Sequence, residues 1–290
     1  MSLFALAPIP WLLVEIAATG KSTKELKQAR RILIKLNLLK RTDNHTYQLH
    51  QLIREFLSDK GDEFAEAEEL KRGFAAAMVR VAEQIPYPRT LELVKFLEPA
   101  IPHLEEVARE LTEFLTDKDL IWPCTGLGLF YQGQSFYGLA EPWLQRCKAL
   151  AKTRLGKEHP DFATSLNNLA QLYKSLGRYS KAEPLYEQAI EIVKRSRPQD
   201  HPYLAISLNN LAELYKSLGR YSETELLYLE AMRICDRSLG SEHPNTVAGW
   251  NNFVGFLMQV VSEGQESLLS EHPFVKERLA MIKEEEEFGM

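Results

Sequence analysis

The chain has 290 residues, 45% of them hydrophobic and 26% charged, with a net charge of −5 and an isoelectric point near 5.9. That composition excludes a fibrous or disordered chain, and the acidic balance gives no global reason to expect nucleic acid. Three cysteines, Cys124, Cys147 and Cys235, lack the paired spacing of a zinc or redox centre and read as free thiols of a reducing cytosol, which places the protein in the cytoplasm.

The charge is uneven along the chain. Residues 1–60 hold ten Lys/Arg against five Asp/Glu, and the remainder holds 25 against 35. The opening MSLFALAPIPWLLVEIAA is interrupted by Pro8 and Pro10 and lacks a basic leader, and no run reaches the ~18 apolar residues of a membrane span. PIPWLLVEIAA reads as a short apolar helix. STKELKQARRILIKL opens on a capping box, Ser22 with Glu25, and runs as a helix to Leu36. NLLKR and YQLH read as two short strands about a polar turn, and QLIREFLSDK as a further helix, so residues 1–60 are expected to form a winged-helix-like domain. ATGKST is a decoy for a phosphate loop, because the first glycine position is Glu15 and a helix precedes it.

The segments LFALAPIPWLLVE, LIKLNLLKR and YQLHQLIREFL resemble the winged-helix domain of NB-ARC-type signal-transduction ATPases. The resemblance implies that His50, in Leu49-His50-Gln51, senses nucleotide held by a partner domain; Gln51 departs from the family's aspartate. It also implies that the chain begins inside that domain, as a fragment or a shortened relative of a larger regulatory ATPase. Residues 61–116 follow as two or three amphipathic bridging helices, readable as degenerate repeats.

From residue 117 the chain repeats with a period of 42, as His159-Pro160, His201-Pro202 and His243-Pro244 demonstrate. The units are 117–158, 159–200 and 201–242, with a truncated fourth at 243–262; SEHP returns after 29 residues at Ser270, so 263–290 reads as a capping helix and acidic tail. Each unit reads as two helices about a turn, with Gly177 and Gly219 placed for positive φ after the first helix. Leu166, Leu169, Ala170 and Tyr173 form one apolar stripe, and Ala182, Leu185, Tyr186, Ala189 and Ile190 another. The histidines recur once per layer, so they suit a His-Pro helix start rather than a metal site.

The motifs LNNLAQLYKSLGRY at 166–179, LNNLAELYKSLGRY at 208–221 and AEPLYEQA at 182–189, with LGKEHP and LGSEHP, resemble tetratricopeptide repeats of the kinesin-light-chain type. The expected fold is mainly α, a right-handed α-solenoid of helix pairs preceded by the small winged-helix domain. The first unit departs from the pattern, with Thr125-Gly126 in place of Asn-Asn.

Asn168 lies off the packing stripe with Thr164, Gln171 and Ser175, and its counterparts Asn210 and Asn252 follow at the repeat period, with Glu213 and Ser217 on the same face. A row of carboxamides can donate to and accept from an extended peptide whatever its side chains. The family resemblance implies the same use of this asparagine, while Asn167, Asn209 and Asn251 read as structural. The expected function is a non-catalytic scaffold for a protein or peptide partner, with no cofactor and no metal. The alternative is a DNA-binding regulator using residues 21–41, where Lys24, Lys27, Arg31 and Lys35 share one helix side. No pairing of nucleophile and base or of catalytic carboxylates supports an enzyme.

Overall fold

The computed structural model describes residues 7–18, 21–36, 38–43, 45–49, 67–85 and 91–288. The chain divides into two compact units, Met1–Leu155 and Gly156–Met290. The helix expected at 51–60 and His50 lie outside the described residues.

In the first unit β1 (Ile9–Pro10) leads into α1 (Trp11–Ala17), α2 (Thr23–Lys35), β2 (Leu39–Asp43) and β3 (Thr46–Leu49). The sheet is antiparallel in the order β1-β3-β2, with Ile9 opposite Tyr47 and Leu39 opposite Leu49. The two strands expected about the polar turn are present. The apolar opening segment differs from expectation, because Ile9 and Pro10 pair as a third strand and the helix starts only at Trp11. Proline lacks the N–H that a central strand needs, and β1 is an edge, where that loss is tolerated.

Trp11, Leu39, Tyr47 and Leu49 form a small core, with the Arg30 guanidinium 4.8 Å from the Trp11 ring and 5.6 Å from that of Tyr47. The capping box forms as read: Glu25 N–H donates to Ser22 Oγ at 3.3 Å, and Ser22 N–H to Glu25 Oε2 at 2.7 Å. The Ser22 hydroxyl, donating to the same Oε2 at 2.7 Å, and the Ser22 N–H hold the Glu25 carboxyl below its ordinary pKa.

Next come α3 (Ala67–Glu83), α4 (Leu91–Leu97), α5 (Ile101–Glu110), α6 (Trp122–Gln132) and α7 (Tyr137–Arg154). The face of α3 carrying Phe74, Ala75, Met78 and Ala82 is buried. Buried His103 on α5 bonds the Pro8 carbonyl through Nε2 at 3.2 Å, tying that helix to the strand segment. Arg146 of α7 donates to the carbonyls of Ala108 (2.7 Å) and Arg109 (2.9 Å), a cation at the C-terminal end of α5, where helix carbonyls lack partners.

The second unit consists of α8 (Pro160–Ser175), α9 (Tyr179–Ser196), α10 (Pro202–Ser217), α11 (Tyr221–Leu239), α12 (Pro244–Ser262) and α13 (Pro273–Phe288). The helix starts at Pro160, Pro202 and Pro244 are each capped by the preceding histidine, whose Nδ1 accepts the N–H two residues on at 3.1 Å. This is the His-Pro turn expected from the repeat, and it consumes a ring nitrogen that a metal ligand would need.

At the other end Gly177 and Gly219 take φ of 68° and 71°, while Arg178 N–H reaches back to Tyr173 O at 2.8 Å and Arg220 N–H to Tyr215 O at 3.0 Å. That closure satisfies carbonyls the helix leaves open. The predicted stripes are interior: Leu166, Leu169, Ala170, Tyr173, Ala182, Tyr186, Ala189 and Ile190 are all buried, and Leu185 is half-buried.

The second SEHP starts α13, which stands where a second helix of the fourth pair would. Val275 and Ile282 of α13 pack into a cluster with Tyr228, Phe253 and Phe256. Buried Glu225 secures the approach, accepting the Ser270 N–H at 2.7 Å and the Ser270 hydroxyl.

Candidate interaction face

Asn168, Asn210 and Asn252 are each half-buried on the first helix of their pair. Their row is cross-linked on a diagonal. Asn210 Nδ2 donates to Asn167 Oδ1 of the preceding layer at 3.3 Å, and Asn252 Nδ2 donates to Asn209 Oδ1 at 3.2 Å. The first asparagine of a pair is thus the acceptor for the next layer, which explains why Asn167 is buried while Asn251, with no further asparagine layer above it, is exposed.

A primary amide offers two donors and a carbonyl with two lone pairs, so each of these bonds leaves Asn210 and Asn252 a second N–H and an acceptor oxygen. In the first unit Gly126 holds the equivalent position and is buried; a Cβ there would lie 2.8 Å from Ala82 Cβ, so α3 occupies that side of α6.

The other predicted residues share this face but are more committed. Thr164 Oγ1 donates to Pro160 O at 3.2 Å, Ser175 Oγ to Gln171 O at 3.0 Å and Ser217 Oγ to Glu213 O at 2.9 Å, each within its own helix. Gln171 is half-buried. Glu213 receives the Tyr228 hydroxyl, with Lys174 Nζ at 3.5 Å and Lys216 Nζ at 3.8 Å. Burial lowers the Lys174 pKa, a drop the Glu213 carboxylate opposes; burial and the same carboxylate push the Tyr228 hydroxyl up.

The structure therefore gathers Lys174, Lys216 and the Tyr228 hydroxyl around the Glu213 carboxylate. The sequence shows Glu213 and Lys216 three residues apart on α10, whereas Lys174 lies on α8 and Tyr228 on α11, and neither carries a local signal of this role. All three cysteines are buried and outside any disulfide, and burial raises the Cys124 and Cys235 thiols above their ordinary pKa. Among the described residues no cluster of three or more His, Cys, Asp or Glu side chains could hold a metal ion, and no helix is long and apolar enough to cross a membrane.

Residues 124–195 and 204–245 match two family models, each described as a tetratricopeptide repeat. The chain carries tetratricopeptide repeats. Solved tetratricopeptide structures share the fold. A Podosopora anserina protein described as a kinesin light chain with nearly identical TPR-like repeats is 21% identical, with 76% of this chain and 95% of that one aligned at a TM-score of 0.51. BtubC (BKLC) from P. vanneervenii is 18% identical over 93% of this chain and 91% of that one, also at 0.51.

A signal transduction ATPase with numerous domains and a tetratricopeptide-repeat sensor, from Pyrococcus horikoshii, aligns 95% of this chain with 57% of its own at 14% identity. Its TM-score is 0.26, at which the likeness carries no argument. No curated protein matches the sequence.

Proposed function

We propose that the protein is a non-catalytic interaction scaffold, and that the face bearing Asn168, Asn210 and Asn252 holds an extended peptide segment of a partner protein. The observation that carries this reading is the asparagine row itself. Its amides are half-buried at successive layers, and Asn210 and Asn252 spend one N–H each on the layer below while keeping a donor and an acceptor. Such groups can pair with the peptide backbone and are indifferent to the partner's side chains, which aliphatic or aromatic anchors then select.

The test begins with peptides selected from a random display library on the immobilised full chain, followed by affinity measurement on variants. Asn168→Ala is the informative change, because the amide it removes makes no bond to another layer of its unit. It should leave the thermal melt unchanged and weaken the selected peptide by about five- to a hundred-fold, as a lost hydrogen bond in a desolvated interface does. Undiminished affinity in Asn168→Ala and in Asn252→Ala would remove the row from the binding surface.

A second reading draws on α2, which buries none of its residues and leaves Lys24, Lys27, Arg31 and Lys35 exposed. In that reading the helix meets duplex DNA and the repeats serve as an effector arm. Binding to a DNA duplex that falls steeply with salt would support it, and salt-insensitive or absent binding would exclude it. The narrower form of the scaffold reading makes the repeats the sensor arm of a regulatory ATPase, which an in-frame nucleotide-binding domain in the genomic sequence upstream of Met1 would support.

A further inference from the structure

We propose that the crevice between α10, α11 and α12 is a side-chain pocket that takes one leucine-sized aliphatic residue of a bound peptide; the proposal rests on the peptide-scaffold reading and names its anchor. The argument starts from one position of the repeat. Phe162, Leu204 and Thr246 are equivalent at the 42-residue period, and all three are buried. In two layers this position carries a large apolar side chain. In the last layer the side chain shrinks to threonine, and Gly249 stands where the other layers have Ser165 and Ser207.

A cavity of about 120 Å³ lies beside Thr246 and Gly249. Its deep wall is made by Ala205, Tyr228 and Met232, all buried, while Ile206, Asn209 and Asn252 line it nearer the surface. Thr246 is 1% exposed, and its buried hydroxyl has no hydrogen-bond partner. An apolar space and a buried polar atom without a hydrogen-bond partner meet at this layer.

The dimensions and chemistry select the occupant. About 120 Å³ is the room of roughly four waters at ~30 Å³ each, which suits the branched end of leucine and is too small for an indole. The apolar wall excludes a charged side chain, whose desolvation nothing here repays. The Asn252-to-Asn209 bond borders the same space, so Asn252, an amide of the proposed row, is placed to hold the peptide group of the inserted residue. The Thr246 hydroxyl offers that segment a further donor and acceptor. Anchor and backbone recognition therefore coincide at one layer.

The probe is N-acetyl-leucinamide, titrated into the full chain beside N-acetyl-alaninamide and N-acetyl-tryptophanamide, with the side-chain amide resonances of Asn209 and Asn252 as the readout. Leucinamide should saturate the shifts at least about tenfold more tightly than either control. Thr246→Leu, which copies the preceding layer, should raise the melting temperature by filling the space and should abolish the leucinamide response. Thr246→Val keeps the shape without the hydroxyl, and should retain the fold while weakening the probe about fivefold or more.

Equal responses to the three amides, or an undiminished leucinamide response in Thr246→Leu, would overturn the pocket. If Thr246→Leu fails to fold, the Thr246→Val titration decides alone, and unchanged affinity there counts against the proposal. Display-selected peptides that depend on Asn168 but ignore Thr246→Leu would leave the scaffold reading standing and remove only this anchor.

Discussion

Ser135 holds a φ of 63° at the position where the next two repeats place Gly177 and Gly219. An L-residue in that region bears a clash of its Cβ costing about 1–2 kcal/mol, partly offset by the greater freedom of glycine in the unfolded chain. Ser135 is exposed, so Ser135→Gly should stabilise the protein by about 0.5–1 kcal/mol in a urea melt; a destabilising result would mean the serine side chain supports the turn.

The histidine caps make a pH prediction. His201 caps α10 through Nδ1, with Arg197 Nη1 2.7 Å from Nε2; burial, then the Arg197 charge, lowers the His201 pKa from 6.5. The unfolded chain then binds more protons than the folded one between the two values, so stability rises with pH there. The contribution is present above about pH 6.5 and is lost as pH falls toward the folded pKa. His201→Asn keeps a capping acceptor without the titration. Its stability should vary less with pH below about 6.5 than the parent's, measured by urea melts across that window; parallel curves would assign the pH dependence elsewhere.

At the scale of helices, the contrast between Gly126 and the asparagines decides how far the amide row extends. The sequence makes clear that the first unit lacks Asn-Asn, but the reason emerges only from α3, whose Ala82 would sit 2.8 Å from a Cβ at residue 126. Restoring the repeat residue with Gly126→Asn should therefore cost more than the ~1–3 kcal/mol typical of overpacking, since the nearest obstacles are Ala82 Cβ and its Cα at 3.1 Å rather than the end of a flexible side chain. A thermal melt within experimental error of the parent would show that α3 does not seat there in solution. The diagonal asparagine bonds were equally hidden. Equivalent residues recur at 42, whereas the bonded pairs are 43 apart, so the partner of each amide depends on how one layer sits on the next.

On the scale of the molecule, the repeat array needs an end, because a helix pair with no further neighbour exposes an apolar face. Here α13 packs on that face, burying Val275 and Ile282 against Phe253 and Phe256. Glu225 holds the turn before α13 through the Ser270 N–H and hydroxyl. Glu225→Ala should cost about 1–3 kcal/mol by leaving those donors unpaired. Hydrogen exchange should quicken across α13 well before the rest of the second unit; uniform exchange would mean the cap is held by its apolar contacts alone.

Periodicity, helix pairing, the apolar stripes, the glycine turns and the His-Pro starts were determined by the sequence alone, because each depends on neighbours within a few residues or on a repeat that copies itself. Tertiary structure alone decided that Ile9 and Pro10 join the sheet, that α3 closes the first layer at Gly126, that Tyr228 reaches Glu213, and that the Thr246 hydroxyl stands unpaired beside an open space. Each of those joins residues from different elements, and their meeting depends on side-chain volumes and the offset between packed helices, which no local spacing encodes.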